Sequence, residues 1–240
     1  MSSRLVVLVH GAWHGAWCWA PLQAELDTRG IASLAVDLPG HGSTGSAFTD
    51  LHGDAASVID VLRAQSELGR TAPVLVGHSY GGAVITEVAS RYSDVSHLVY
   101  LAAFALQRGE SVMSALTAMP AREVALSAAM RPGPEGTTVL DPQTAIPALY
   151  GSCTPAVIEA AIGRLSPQPM ATMMQAVSGS PLETVPSTYV VCTKDDAVHP
   201  DHQVIMAERC THTVTMHTDH SPFASMTTET ADVLERIARS

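Results

Sequence analysis

A serine flanked by glycines, two adjacent aspartates and a histidine near the C-terminus are the residues whose types and order could do chemistry together in this chain of 240 residues. The serine is Ser79, in the stretch LVGHSYGGAV, where Gly77-His78-Ser79-Tyr80-Gly81 fits G-x-S-x-G. An apolar run, PVLV, precedes the motif and a helical pattern follows it, so the spacing predicts a strand-to-helix elbow. A serine on such an elbow takes a strained backbone conformation that points its hydroxyl away from the sheet. Small residues two before and two after it leave room for the turn. The bland alternative is a glycine-rich turn in which Ser79 merely caps the helix, and the partners that a nucleophile needs weigh against it.

A serine hydroxyl is a poor nucleophile near neutral pH and needs a base, commonly histidine, oriented in turn by a carboxylate. In the nucleophile-elbow arrangement that carries G-x-S-x-G, those partners come later in the chain, the acid first and the histidine last. Of eleven histidines, only His217 and His220 follow the last apolar run. His217, within TVTMHT, reads as a strand-end residue, whereas His220, in TDHSPF, lies in the loop before the final helix and is the expected base. The acid should follow the preceding run, STYVVCT, where Asp195 and Asp196 both stand. Neighbours in a loop do not both face one imidazole, and spacing alone leaves the choice between them open.

The first apolar run ends in HGAWHGAWCW, from His10 to Trp19. An oxyanion hole in this arrangement combines the backbone N–H after the nucleophile, here Tyr80, with one from this loop, here Ala12, with Gly11 allowing close approach. Trp13, beside the proposed donor, and His14 are the candidates for the substrate pocket, although His14 reads equally well as a hydrogen-bonded structural residue. Trp17 and Trp19 are expected to pack the first helix on the sheet. Asp37, in DLPGHG, is expected to fix local backbone rather than take part in chemistry.

Six apolar stretches, starting at Arg4, Ile31, Pro73, Val95, Ser187 and Thr213, read as parallel strands covered on both faces. Helical patterns lie between them, over Ala20 to Arg29, about Asp50 to Leu68, Tyr80 to Tyr92, Pro200 to Arg209 and Pro222 to Arg239. This alternation predicts an α/β chain, residues 1–240 as one domain, with a mostly parallel doubly wound sheet whose ligands bind at the carboxyl ends of the strands. It fails over residues 107–182. That segment holds most of the prolines, six of the ten methionines and few charges, and is too long for a simple connection. It is expected to form a lid of short helices and loops, in which Met113, Met119, Met130, Met170, Met173 and Met174 either line an adaptable apolar pocket or seal the lid against the body.

The formal charge of −10 and a single lysine, Lys194, argue against a nucleic-acid partner. No apolar run reaches a membrane span and the first is too short for a signal-peptide core, so the expected location is the cytoplasm, with no membrane partner. Cys18, Cys153, Cys192 and Cys210 show neither a CxxC pair nor zinc-finger spacing and are expected to be free thiols. No P-loop or H-E-x-x-H pattern points to a nucleotide or a metal, so no cofactor and no metal are expected.

The stretches LVHGAWHGAWCW, DLPGHG, LVGHSYGG, VYLAAF, STYVVCTKDDAV and TDHSPF together resemble the α/β-hydrolase superfamily, in the branch of plant methylesterases, hydroxynitrile lyases and many bacterial esterases. That branch starts directly with the strand before the HG loop, as this chain does near Arg4. Its esterases carry a pattern like T-E-D-[KR]-A-[IV]-P, with the catalytic aspartate two after the threonine and eight before a glutamine. The resemblance therefore implies Asp195, which stands so placed against Thr193 and Gln203. Asp196 occupies the usually basic position, a departure that keeps it in play. Hydroxynitrile lyases of the branch have a lysine after the catalytic histidine, where this chain has Ser221. The resemblance implies a cofactor-free serine hydrolase, with Ser79, Asp195 and His220 as its triad, acting on a small carboxylic ester such as a methyl or aryl ester or a lactone. Lyase, amidase or acyl-transfer chemistry and a hormone-receptor role are the alternatives, and a homodimer is implied by family likeness only.

Overall fold

Apolar runs without polar alternation can be strands only if helices cover both faces of the sheet, and these residues are so arranged. The computed structural model describes residues 3–240. In chain order its strands are β1 (Val6–Val9), β2 (Ser33–Val36), β3 (Val74–His78), β4 (His97–Leu101), β5 (Met130–Pro132), β6 (Thr137–Leu140), β7 (Gln168–Pro169), β8 (Ser187–Cys192) and β9 (His212–Met216). The central sheet runs β2-β1-β3-β4-β8-β9 and every pairing in it is parallel.

The helices are α1 (Ala20–Thr28), α2 (Leu51–Glu67), α3 (Gly81–Arg91), α4 (Val112–Ala118), α5 (Ala125–Ala129), α6 (Pro142–Tyr150), α7 (Pro155–Ile162), α8 (Met170–Met174), α9 (Pro200–Ala207), α10 (Pro222–Ser225) and α11 (Thr227–Arg239). Alternate residues of β1 serve opposite faces. Val6 and Leu8 pack with Leu22 and Leu26 of α1 and Leu234 of α11, whereas Val7 and Val9 pack with Ile59 of α2 and Val84 of α3. Each such buried side chain contributes roughly 1.5–3 kcal/mol. The expected helix over Pro222 to Arg239 is divided at Met226, which leaves helical geometry at φ −134° and ψ 55°. Phe223 turns inward between the rings of Trp19 and His78, while α11 lays Val233, Leu234 and Ala238 along the sheet; one straight helix cannot do both.

From β1 the chain moves outward to β2 and returns on the other side as β3, and the crevice at such a reversal is where open α/β sheets bind ligands. The pairing of Val9 with Gly77 sets the loops after β1 and β3 side by side there. Between β4 and β8, the segment expected to hold only helices and loops also carries a three-stranded antiparallel sheet, β5-β6-β7. Its strands are two to four residues long, too short for any periodicity to register. All four cysteines are free. Among the described residues no helix is long and apolar enough to cross a membrane.

Candidate active site

Ser79 has φ +52°, a left-handed conformation that costs a residue with a Cβ about 1–2 kcal/mol. The elbow is held by its own peptide groups. The Ser79 N–H donates to Leu101 O at 3.3 Å, and the Ser79 carbonyl accepts from Gly82 N–H at 3.0 Å and Phe104 N–H at 3.1 Å. A Cβ at Gly77 would lie 2.4 Å from the Gly81 carbonyl oxygen, and one at Gly11 would lie 2.9 Å from Ser79 Cβ. Both glycines are therefore dictated by the close approach of the β1 loop and the start of α3 to the elbow.

Nδ1 of His220 donates to Oδ2 of Asp195 at 2.7 Å, with both side chains buried. The same carboxylate accepts from Gln203 Nε2 at 2.7 Å and, through Oδ1, from the N–H groups of Ala197 and Val198 at 2.7 and 2.9 Å. Four donors thus fix its plane. Because Nδ1 carries the proton, Nε2 of His220 is the basic nitrogen. Among the described residues, neither that nitrogen nor the Ser79 hydroxyl takes part in a hydrogen bond. Asp196 faces elsewhere: its Oδ1 accepts from Ala125 N–H at 2.8 Å and its carbonyl from Leu126 N–H at 3.1 Å. His217 lies outside the cluster and bonds Thr193 Oγ1 through Nδ1 at 2.8 Å.

His78, the variable residue before the serine, has a part that the motif alone did not disclose. Its Nε2–H donates to the His220 carbonyl at 2.8 Å, and burial pushes its pKa well below the ordinary histidine value. It is a neutral strut under the loop that carries His220. Gln203 was visible only as a spacing from Asp195, yet it also braces the end of β8, accepting from Cys192 N–H at 2.8 Å.

Ala12 and Tyr80 both line the cavity above Ser79, and among the described residues neither backbone N–H donates to a protein acceptor. The Tyr80 hydroxyl donates to Oδ2 of Asp54 at 2.7 Å. Burial pushes that carboxyl up to about 6, against the hydroxyl donors Thr49 and Tyr80, which favour its charged form. Trp13 lines the cavity. His14, the other residue expected there, does not. Its Nδ1–H donates to Ala12 O at 2.8 Å and its Nε2 accepts from the Tyr150 hydroxyl at 2.7 Å, so neither nitrogen is left for a ligand. Burial pushes its pKa down to about 4. Asp37 accepts from the N–H groups of Ala16 and Ser43, which fixes the loops of both.

The cavity holds about 840 Å³, within the usual range for a small-molecule site. Met113, Met130, Met170 and Met173 line it together with Phe104 and Leu126. Met119 is instead buried in the core and Met174 is exposed. Arg122, Arg131, His199 and His202 are the basic members of its wall, and no carboxylate lines it among the described residues. The site thus gathers a serine hydroxyl on the cavity wall, an imidazole whose Nδ1 is held by a buried carboxylate, and the N–H groups of Ala12 and Tyr80, both free of protein acceptors among the described residues.

A family model described as "Alpha/beta hydrolase family" matches residues 6–233. The chain is 31% identical to a pheophorbidase from Raphanus sativus over 242 residues, which covers 92% of this chain and 89% of the relative. It is 41% identical to a carbendazim hydrolyzing esterase from Nocardioides sp. (strain SG-4G) over 115 residues, 46% of each chain. The crystal structure of the methylesterase protein MES16 from Arabidopsis superposes with a TM-score of 0.79 at 26% identity, covering 97% of this chain and 98% of that one.

Proposed function

The chain belongs to the alpha/beta hydrolase family, in its methylesterase-like branch, and is a carboxylic ester hydrolase; on that premise we propose that it cleaves its ester through an acyl-enzyme formed on Ser79. Nε2 of His220 takes the hydroxyl proton as Ser79 Oγ attacks the carbonyl carbon. The tetrahedral oxyanion accepts hydrogen bonds from the N–H groups of Ala12 and Tyr80, each contributing about 2.7–4 kcal/mol to the transition state. Collapse expels the alkoxide, which leaves with the proton from His220. Water, activated by the same nitrogen, then releases the acid. Asp195 keeps the imidazole in the tautomer that leaves Nε2 basic and stabilises the imidazolium. These steps call for no cofactor.

The observation that carries this reading is the buried bond of His220 Nδ1 to Asp195, with the His220 carbonyl held by His78, the residue before an elbow serine that lines the cavity. Methionines and other apolar side chains in the wall favour an ester with a bulky apolar acyl or alcohol part, which adaptable thioethers can accommodate. The test is rapid mixing with an activated aryl ester. Wild type should release a stoichiometric burst of phenol followed by a slower steady state, and Ser79→Ala should lose both; full turnover in Ser79→Ala would overturn the mechanism. A panel of methyl, aryl and lactone esters graded in size, with mandelonitrile as a lyase control, should be cleaved on the ester side only.

A further inference from the structure

Trp13 follows the proposed oxyanion donor Ala12 and has φ +62°. For a bulky aromatic residue this left-handed geometry is a true outlier and must be held in place by its surroundings. Every polar group of Trp13 ends on the segment between β4 and β8. Its N–H donates to Oε1 of Gln168 at 3.2 Å, its carbonyl accepts from Ser166 N–H at 2.8 Å, and its indole N–H reaches Thr138 O and Oγ1, each at 3.2 Å. None of these partners belongs to the central sheet.

Gln168 is suited to hold one orientation. It is buried, and its Nε2 donates to Thr172 Oγ1 at 2.9 Å while that hydroxyl donates to Pro169 O at 2.7 Å. Since the Thr172 proton is committed to a carbonyl, its oxygen must accept from an N–H, and the amide oxygen of Gln168 is left to face Trp13. The opposite edge of the same peptide is the Ala12 carbonyl. It accepts from His14 Nδ1–H, and His14 in turn accepts from the hydroxyl of Tyr150 on α6. The Ala12–Trp13 peptide is thus clamped on both edges by hydrogen-bond chains rooted in the inserted segment.

We infer that docking of the inserted segment assembles the β1 side of the oxyanion hole, with Gln168 as a positioning residue and Tyr150 as a second one acting through His14. The inference rests on the reading of Ala12 as an oxyanion donor. Gln168 fixes the peptide that follows Ala12 and engages the Trp13 N–H, so the Ala12 N–H is the one this loop offers to the transition state. The segment is then part of the catalytic machinery even for a substrate too small to touch the cavity wall.

The experiment compares wild type with Gln168→Leu and Tyr150→Phe, using p-nitrophenyl acetate, a boronic acid that forms a tetrahedral adduct at Ser79, and a planar carboxamide that cannot react. Ser79→Ala serves as the separate control on the mechanism, and Met174→Ala, exposed on α8, as the control on the same segment. The expected result is a kcat about 10–100-fold lower in Gln168→Leu and about 3–10-fold lower in Tyr150→Phe, with KM within about twofold. Boronic acid affinity should weaken in parallel, carboxamide affinity should stay constant, and Met174→Ala should match wild type. Unchanged kcat and boronic acid affinity in the two variants, or a rise in KM alone, would overturn the inference and leave the segment as a substrate wall. Tyr150→Phe removes one hydroxyl and carries the test if Gln168→Leu fails to fold. Retained turnover in Ser79→Ala would instead strike at the mechanism itself.

Discussion

Asp195 and Asp196 are joined by one peptide bond and send their carboxylates to opposite tasks: Asp195 holds Nδ1 of His220 at 2.7 Å, and Asp196 holds the N–H of Ala125, at the start of α5, at 2.8 Å. The loop after β8 therefore ties the imidazole and the inserted segment to the same stretch of backbone. A basic residue at position 196 could not accept that N–H. The aspartate there is explained by what it holds in this chain.

Asparagine at each position should separate the two tasks. Asp195→Asn is expected to lower kcat by about 10³–10⁴-fold, because its single amide oxygen stays with the N–H groups of Ala197 and Val198 and turns the NH2 group toward Nδ1, which favours the wrong tautomer. Asp196→Asn keeps an acceptor oxygen for Ala125 and should stay within about threefold of wild type, while Asp196→Ala should lose about 1–2 kcal/mol of stability. Steady-state kinetics with an aryl acetate and urea melts measure both. Equal kinetic losses at the two positions would refute the division.

His78 predicts a mixed phenotype. Replacing it with leucine leaves the His220 carbonyl buried without its donor, which should cost about 1–3 kcal/mol of stability and loosen the loop that carries the proposed base. A kcat reduced about tenfold with little change in KM is the expected kinetic mark. His78→Gln, which can restore an N–H to the same carbonyl, should recover part of both. A leucine variant as active and stable as wild type would show that the strut is dispensable.

Acid should destabilise the fold through its buried histidines. His10 and His14, ordinarily near 6.5, are pushed down to about 3 and about 4, chiefly by burial, and His78 is held well below its ordinary value by burial and by neighbouring His220. A group with a depressed folded pKa contributes stability that is present above its unfolded value and is lost as pH falls through the folded one. From about pH 6.5 down to about pH 4 each such histidine should remove up to about 1.4 kcal/mol per pH unit. Urea melts across that window should show a steep decline, with net proton uptake on unfolding. A flat profile would mean that these rings are already charged in the fold.

Asp54 should act in the opposite sense. Its carboxyl is pushed up to about 6 from an ordinary 3.8 by burial, so its contribution is present below about pH 3.8 and is lost as pH rises through about 6. Asp54→Asn keeps an acceptor for the Tyr80 hydroxyl and removes the ionisation. The stability difference between variant and wild type should therefore shift in favour of the variant by on the order of 2 kcal/mol between pH 4 and pH 8. Paired melts at the two pH values test this, and a pH-independent difference would contradict it. With several histidines against one carboxyl, the net wild-type profile still falls in acid.

Contiguous chemistry was readable before any fold was known. The G-x-S-x-G elbow is a local object, made by small residues at positions where a Cβ would strike neighbouring backbone, and the six apolar runs are the strands of the central sheet. The order of Ser79, the Asp195–Asp196 pair and His220 along the chain was legible for the same reason, since successive loops of a parallel sheet open on one edge. What the chain alone left undetermined depends on direction and on contacts between residues far apart in sequence. Which aspartate meets His220 is set by the way one loop turns its side chains. That His14 supports Ala12 rather than lining the cavity is set by Tyr150, 136 residues away. The clamp on Trp13 spans 155 residues to a strand of two residues. No period or motif encodes such pairings; they exist only once hydrophobic burial has docked the inserted segment on the sheet, and buried polar groups then require partners wherever packing has brought them.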